Sequence, residues 1–482
     1  MSASTLSGIG EIHKLLAKWD PEGVLVPLEL SELRVGRGTI DTLVDAVQSA
    51  LRVHSLEGAS QTVALVADTT VITRSGSDLK VRVRRQLGEV YDVRDVILSD
   101  GHAVLHVTED VLEQATQAIR GVQAVVAVGG GTISDIGKLA AARAGVPAVV
   151  IVQTAASVDG FTDNVSVVLR DGVKRTVPSR WPDVVIADAE TIAEAPEAMN
   201  RAGYGEMTSM FTAPADWRLA SMLGTDQSFH RGPIAIMEAI AGTIDEWSSG
   251  LRQADLRAVE GLALALDVRG IATGVAGTTA CLSGVEHVVS HMLDLHQGAK
   301  GSPIGLHGAQ VGVAAVVAAT AWEMLFERMA AGRAHIQDAA FDVAAAEDRV
   351  REAFSHLDGR IAEECWADYS QKLSVLASNR DRIEDLISWW PAHERELRSL
   401  VRPAAQIADG LREAGSPVDF SDLVPNITPE LARWAVESCA LMRNRVNVID
   451  LLTLLGWWTP ADVDEVLQRA AQHAAGELAV VI

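Results

Sequence analysis

Cysteine is nearly absent from this sequence. Cys281, Cys365 and Cys439 are the three in 482 residues, they lie far apart, and no two have the spacing of a ligand pair. An odd, scattered set argues against a disulfide framework and fits a reducing, cytoplasmic compartment. Long apolar runs are missing as well: none reaches the roughly 18 residues of a membrane span, and the longest candidate, Val311 to Ala321, has the length of a buried helix. The N-terminus, MSASTLSGIGEIHKLLAKWD, sets charges among its apolar residues and lacks the continuous apolar core of a secretory signal. A soluble chain with no membrane partner is expected. Positive charge is short too, with 41 Lys and Arg against 64 Asp and Glu, a net charge of -23. Such a balance argues against nucleic acid or an anionic membrane as the main partner, although a local basic pocket can still hold a phosphate. No internal repeat and no low-complexity tract is visible, and small-molecule chemistry becomes the leading class.

What the chain does have is apolar residues, 48% of the total, and enough length for two domains rather than one compact core. The most informative stretch is CLSGVEHVVSHMLDLHQGAKGSPIGLHGAQVG, from Cys281 to Gly312. His287 and His291 stand four residues apart, one turn of a helix on a single face. A glycine-rich loop, Gly298 to Gly305, then leads to His307 at the opening of a second apolar helix, Val311 to Leu325. Two successive helices thus deliver imidazoles to one place, beside Glu286. Converging neutral imidazoles are a common way to hold a divalent metal with a coordination position left open, or to meet a substrate. One histidine alone would more simply pack in a helix interface.

A second stretch is AVVAVGGGTISDIGKLAAARAGVPAVVIVQTAAS. Ala124 to Val128 reads as a strand, Gly129, Gly130 and Gly131 as a turn, Thr132 to Ala142 as a helix and Ala148 to Val152 as the next strand, which together make a βαβ unit. Three glycines let the backbone come close to a pyrophosphate, and the helix behind them offers unpaired N–H groups and the positive end of its dipole. The pattern GGGTxxD is neither GxGxxG nor the phosphate-binding GxxxxGK[ST], and a tight turn needs glycine for its own sake. Upstream, QTVALVAD is a buried parallel strand closed by Asp68, and Thr108 to Ile119 is an amphipathic helix. Downstream, Asp159, Asp163 and Asn164 cluster past the end of a strand, the edge at which open α/β sheets carry ligands. Asp171-Gly172 reads as the turn of a hairpin joining Val165 to Arg170 with Val173 to Val177, and Asp183 to Asp188 as a last strand.

Beyond Thr191 strand patterns almost vanish. Helical periodicity fills Ile192 to Leu223, Gly232 to Trp247, Ala254 to Thr273, the region after Val311, the charged Phe341 to Ala414 with its Trp389-Trp390-Pro391 break, and Pro429 to Leu455. Two domains are therefore expected, an α/β one over residues 1–190 and an all-helical one over residues 191–482. No role is assigned to residues 1–60.

In order along the chain, VGGGTISDIGK, TAASVDG, PDVVIADAETIAEAP, AGYGEMTSMFTAPADWRLA, SGVEHVVSH, LHGAQVGV and CALMRNRVNVIDLL resemble the superfamily of dehydroquinate synthase, glycerol dehydrogenase and the iron-containing alcohol dehydrogenases. Within it the sequence is most similar to the sn-glycerol-1-phosphate dehydrogenase family, well over residues 60–325 and weakly over 430–456. The resemblance implies a Rossmann-like parallel α/β nucleotide domain followed by an all-α metal domain, with the site in the cleft between them. It implies Glu206, His287 and His307 as metal ligands, for zinc first and nickel or iron as alternatives. It assigns Gly129, Gly130, Gly131, Thr132 and Asp135 to the pyrophosphate, Thr154 and Ser157 to the nicotinamide side, and Asp68 to the adenosine ribose. A carboxylate at Asp68 would disfavour the extra phosphate of NADP, so NAD is expected ahead of NADP.

On the same footing Asp159 orients the substrate and His291 relays a proton, with Lys174 or Arg175 meeting a phosphate. The implied activity is metal-dependent hydride transfer between NAD(P)(H) and the hydroxyl or ketone of a small polyol phosphate, glycerol 1-phosphate and dihydroxyacetone phosphate, by a homo-oligomer. The chain departs from that family's pattern at Glu206, where Asp is usual, at Met210 in place of Lys, and at Ala309 in place of Glu. Glutamate at the ligand position is what dehydroquinate synthases show. A sugar-phosphate cyclase that uses NAD transiently is therefore one alternative, and a nucleotide-binding relative without turnover is another.

Overall fold

The computed structural model describes residues 8–56, 61–102, 104–170, 173–332 and 334–477. By its internal packing the chain divides into two units. The first is Met1–Gly203 with Arg231–Gly277, and the second is Tyr204–His230 with Thr278–Ile482.

Six strands build the sheet of the first unit, in the spatial order Glu32–Gly36, Val184–Asp188, Ala148–Gln153, Ala124–Gly129, Thr62–Asp68 and Asp92–Leu98, each pair parallel. The inner strands are continuous runs of Val, Ile and Ala because both of their faces are covered by helices and neither meets water. Val126, Val128, Val150, Val152 and Ile186 on one face pack with Leu43, Val47 and Leu51 of the helix Leu43–Val53 and with Leu79, Val83 and Leu87 of the helix Leu79–Gly88. On the chain's route through the sheet the direction of winding reverses between Thr62–Asp68 and Ala124–Gly129. Their C-terminal ends carry Asp68 and the glycine turn, the place where doubly wound sheets take ligands.

Two strands here escaped the sequence reading, Glu32–Gly36 and Asp92–Leu98. Both are sheet edges, so ELRVG and DVRDVIL carry charges that a central strand would not tolerate. The hairpin Val165–Arg170 with Val173–Pro178 forms a separate antiparallel pair, while its expected turn, Asp171-Gly172, lies outside the described residues.

The helix Leu256–Ala276 was expected in the helical half and instead packs in the first unit, against the edge strand Glu32–Gly36 and the helix Ala189–Ala193. From Leu262 through Val275 nearly every residue is buried, which leaves no polar stripe to face water. The division therefore differs from the one expected at residue 190. The helical stretch read over Ile192 to Leu223 consists of Ala189–Ala193, Glu197–Met207, a short 3₁₀ turn and Ala213–Met222, with Pro196 and Pro214 at the breaks, where proline lacks the N–H a helix needs.

In the second unit the core helix is His307–Ala330. It is apolar and long enough to cross a membrane by composition, yet 94% of its most apolar window is buried in protein, so its surroundings are those of a core helix. Around it pack Val285–Ala299, Ala404–Ala414, Val448–Leu454 and Pro460–Ala475. The Trp389-Trp390-Pro391 break falls between the helices Arg380–Ser388 and Trp390–Ser399.

Candidate functional site

Glu206 at the end of the helix Glu197–Met207, His287 in Val285–Ala299 and His307 at the start of His307–Ala330, all three residues of the second unit, come together, and their donor atoms all lie within 4.8 Å of one another. A close backbone contact makes this possible. A Cβ on Gly205 would sit 2.2 Å from the carbonyl oxygen of Gly308, and one on Gly312 would sit 2.7 Å from the Cα of Gly205. Only glycine allows that approach. The neighbours of these glycines, Glu206 and His307, are thereby set side by side.

Glu206 is buried, with Oε1 at 3.1 Å from His287 Nε2 and Oε2 at 3.7 Å from His307 Nε2. Each imidazole is oriented from behind. His287 Nδ1 lies 3.0 Å from Glu286 Oε1, and His307 Nδ1 lies 2.9 Å from Ser290 Oγ, whose hydroxyl is 2.7 Å from Gln310 Oε1. Asp216, from the helix Ala213–Met222, accepts the amides of Val285 at 3.0 Å and Val448 at 2.9 Å, so one carboxyl caps two helices. Burial, with the neighbouring Glu286 carboxylate, pushes Asp216 well above the usual carboxylate range.

Burial alone would lower the pKa of His287, but the Glu206 and Glu286 carboxylates outweigh it and lift the ring to about 9. Two imidazoles and one carboxylate, buried and mutually within reach, suit a divalent cation such as zinc, nickel or iron(II) and leave positions for water or a substrate oxygen. Such an ion needs a neutral imidazole and would take the place of the proton on His287. Beside the cluster His291 stacks on His307, with ring centroids 5.6 Å apart and planes 13° from parallel, and its centroid is 6.3 Å from that of His287. It stands next to the trio and outside it. The two family departures, Met210 and Ala309, are both buried, Met210 in the 3₁₀ turn Thr208–Phe211 and Ala309 in the first turn of the core helix.

In the first unit the glycine turn follows the strand Ala124–Gly129, with Gly130 as N-cap of the helix Gly131–Ala144. Thr132 lies in that helix's first turn, and the Thr154 amide donates to Gly129 O at 3.2 Å, which ties the next strand's end to the turn. Ser157 follows, half-buried, in the loop after the strand Ala148–Gln153. Asp68 closes its strand, and its Oδ1 accepts the amide of Thr70 at 3.0 Å.

Asp135 faces inward. Its Oδ2 accepts the amide of Val167 at 3.1 Å and its Oδ1 is 3.7 Å from Lys138 Nζ. Burial raises its pKa to about 7 against the pull of Lys138, with Asp163 adding to the rise.

Lys138 itself is fully buried, paired with the Asp163 carboxylate and donating to the carbonyls of Gly160 at 2.8 Å and Val165 at 2.7 Å. It pins the Asp159 loop to the glycine-turn helix. Asp159 Oδ2 accepts from the buried Arg269 at 3.0 Å. Two residues before Arg269, Asp267 is buried too, and burial with the nearby Asp159 carboxylate raises its pKa well above the usual range. Arg175 is exposed on the hairpin, and the side chain of Lys174 lies outside the described residues. Sequence reasoning missed Lys138, Arg269, Ser290, Thr212 and Asp216. For Lys138 a signal existed, its place three residues after Asp135 in VGGGTISDIGK. For the others only packing reveals the partner.

A doubly wound parallel sheet with a glycine turn at its switch point, followed by a largely helical part, is the fold of the iron-containing alcohol dehydrogenase and glycerol dehydrogenase class. The family described as iron-containing alcohol dehydrogenase matches residues 37–196. A curated glycerol-1-phosphate dehydrogenase [NAD(P)+] of Halalkalibacterium halodurans is 30% identical over 292 residues, 60% of this chain and 70% of that protein. One of the same name from Pyrococcus furiosus is 35% identical over 240 residues, 49% of this chain and 66% of that protein. The crystal structure of glycerol dehydrogenase from Schizosaccharomyces pombe superimposes with a TM-score of 0.56 at 14% identity, over 92% of this chain and 90% of that one, which shows the shared fold. The chain belongs to the glycerol-1-phosphate dehydrogenase family.

Proposed function

We propose that this chain catalyses the NAD(P)-linked interconversion of glycerol 1-phosphate and dihydroxyacetone phosphate with the help of one divalent cation, zinc before nickel or iron. The observation that carries the reading is the convergence of Glu206, His287 and His307 in a chain of this family. When bound, the cation supplies Lewis-acid polarisation of the reacting oxygen and the nicotinamide supplies or accepts the hydride.

The protein's own groups do the rest. Glu206, His287 and His307 hold the ion. Gly129, Gly130, Gly131 and Thr132 seat the pyrophosphate at a helix N-terminus, Thr154 and Ser157 border the nicotinamide, and Asp68 meets the adenosine ribose. Asp135, turned toward Lys138 and Val167, shapes the loop behind the nucleotide. Asp159, anchored by Arg269 through one oxygen, keeps the other for a substrate hydroxyl. His291 gives or takes the proton of the substrate oxygen, in keeping with its position beside the metal ligands. Lys174 and Arg175 are the candidates for the substrate phosphate. The three buried cysteines, none in a disulfide, agree with a cytoplasmic setting.

The test is NADH oxidation by the metal-loaded protein with dihydroxyacetone phosphate, against free dihydroxyacetone as control. Net, stoichiometric NADH consumption is expected, and a sugar-phosphate cyclase would show none. A metal-loaded chain that leaves NADH untouched with the phosphorylated ketone would overturn the reading.

A further inference from the structure

We infer that Glu286 is a positioning residue for the metal centre: its buried carboxylate takes the Nδ1 proton of His287 in a hydrogen bond and so aims Nε2 of that ring at Glu206, where the cation would be held. This rests on the metal reading above and adds a role to a residue outside the ligand set.

Glu286 is 0% exposed. Three donors meet it: the Gly284 amide at 2.7 Å and His287 Nδ1 at 3.0 Å on Oε1, and the Thr212 hydroxyl at 2.9 Å on Oε2. A carboxylate accepts only, so Nδ1, the ring nitrogen facing Glu286, carries its hydrogen there, and Nε2, turned to Glu206 Oε1 at 3.1 Å, is the nitrogen left for a cation. Holding the N-cap Gly284 amide does not by itself call for the contact to His287. Asp216 already takes the Val285 amide at the start of the same helix, and setting a second buried carboxyl beside it is unfavourable on its own. The residue is explained by what it does to His287.

The other ligand imidazole is treated differently. Behind His307 stands a neutral hydroxyl, Ser290 Oγ at 2.9 Å, which holds a ring less firmly than an anionic acceptor does. The two histidines are therefore unequal ligands, and His287, backed by a carboxylate, is the stronger. Partners of this kind typically govern metal affinity by roughly 10- to 100-fold.

The experiment measures zinc affinity of the full chain at one fixed pH by competition with a chromophoric chelator, alongside the melting midpoint of the metal-free protein. Glu286→Gln keeps the shape and an oxygen for the Gly284 amide but loses the anion; it is expected to weaken zinc binding roughly 10- to 100-fold. Ser290→Ala should weaken it only a few-fold by the same comparison. The metal-free midpoint would not follow that order, whereas a merely structural role would make the two readouts move together. Should Glu286→Gln fail to fold, Thr212→Val, which frees Oε2 from its holder, is expected to weaken zinc binding measurably. Zinc affinity unchanged in Glu286→Gln, or in Thr212→Val where that variant stands in, or a larger loss in Ser290→Ala, overturns the positioning role while leaving the metal reading intact. A wild-type chain that takes up neither zinc, nickel nor iron overturns both.

Discussion

In the first unit most of the residues proposed for the nucleotide seat arrive in one piece: the glycine turn, Thr132, Asp135, Thr154 and Ser157 follow one another along a single βαβ passage. In the second, the three proposed metal ligands come from the helix Glu197–Met207, the helix Val285–Ala299 and the start of His307–Ala330. The first arrangement is set by strand, turn and helix chemistry that acts over a few residues. The second exists only once helices far apart in sequence have packed. Local chemistry should tolerate damage to distant packing, while the assembled cluster should not. The variants that follow bear on that contrast.

The largest effect is expected from His307→Ala. Losing one of three ligands should strip the metal and lower turnover on the order of 10³-fold, since a Lewis acid supplies several kcal/mol at the transition state. Elemental analysis with steady-state rates checks this, and a variant with full metal content and turnover would sink the ligand assignment. Next comes Lys138→Met, which leaves Asp163 buried without its ammonium partner. Breaking a buried pair typically costs about 3–5 kcal/mol, so denaturant unfolding should show a large drop.

Gly203→Ala and Gly205→Ala sharpen the comparison, because the two residues are near neighbours serving different units. A Cβ at Gly203 would lie 1.8 Å from Ala156 O and one at Gly205 2.2 Å from Gly308 O. Each overpacks backbone against backbone at about 1–3 kcal/mol or more. Only Gly205→Ala should also weaken zinc binding, as measured by chelator competition; equal affinity in the two variants would remove the glycine contact as the reason Glu206 meets His307.

An effect read by its pH dependence rather than by its size at one pH is expected from Asp135→Asn. Its folded pKa of about 7 is raised above the roughly 3.9 of an unfolded aspartate. Between those values the folded chain binds more protons than the unfolded one, so stability attributable to this group falls as pH rises from about 4 to about 7. An asparagine does not titrate. The variant's melting midpoint relative to wild type should therefore be higher at pH 8 than at pH 5, and an offset independent of pH would refute the assignment.

Much of the fold was legible without coordinates. The strands read at Gln61 to Asp68, Ala124 to Val128, Ala148 to Val152 and Asp183 to Asp188 match the inner strands within a residue or so, because a strand covered on both faces must be apolar throughout. The edge strands were not legible, since half-exposed backbone carries charges that read as loop. Helix Leu256–Ala276 was read as a helix, but its periodicity says nothing about which unit buries it. In the site, the residues alone brought His287, His291 and His307 to one place and the resemblance added Glu206; the donors within reach of one another are those of Glu206, His287 and His307, and His291 stands beside them. Helical spacing names residues that share a face. It does not choose among them.

What the sequence determined by itself is therefore local: hydrophobic period, glycine and proline placement and a run of motifs are enough to specify a parallel α/β unit with a phosphate-ready turn and a helical unit bearing histidines. Tertiary structure alone decided which side chains become partners. Glu206 meets His287 and His307 because glycine backbones touch at Gly205, Gly308 and Gly312, and Glu286 and Ser290 set the two rings. The contacts of Gly205 and Glu206 bridge segments some 80 to 110 residues apart at distances of a few ångströms, a range over which no local preference of the chain acts.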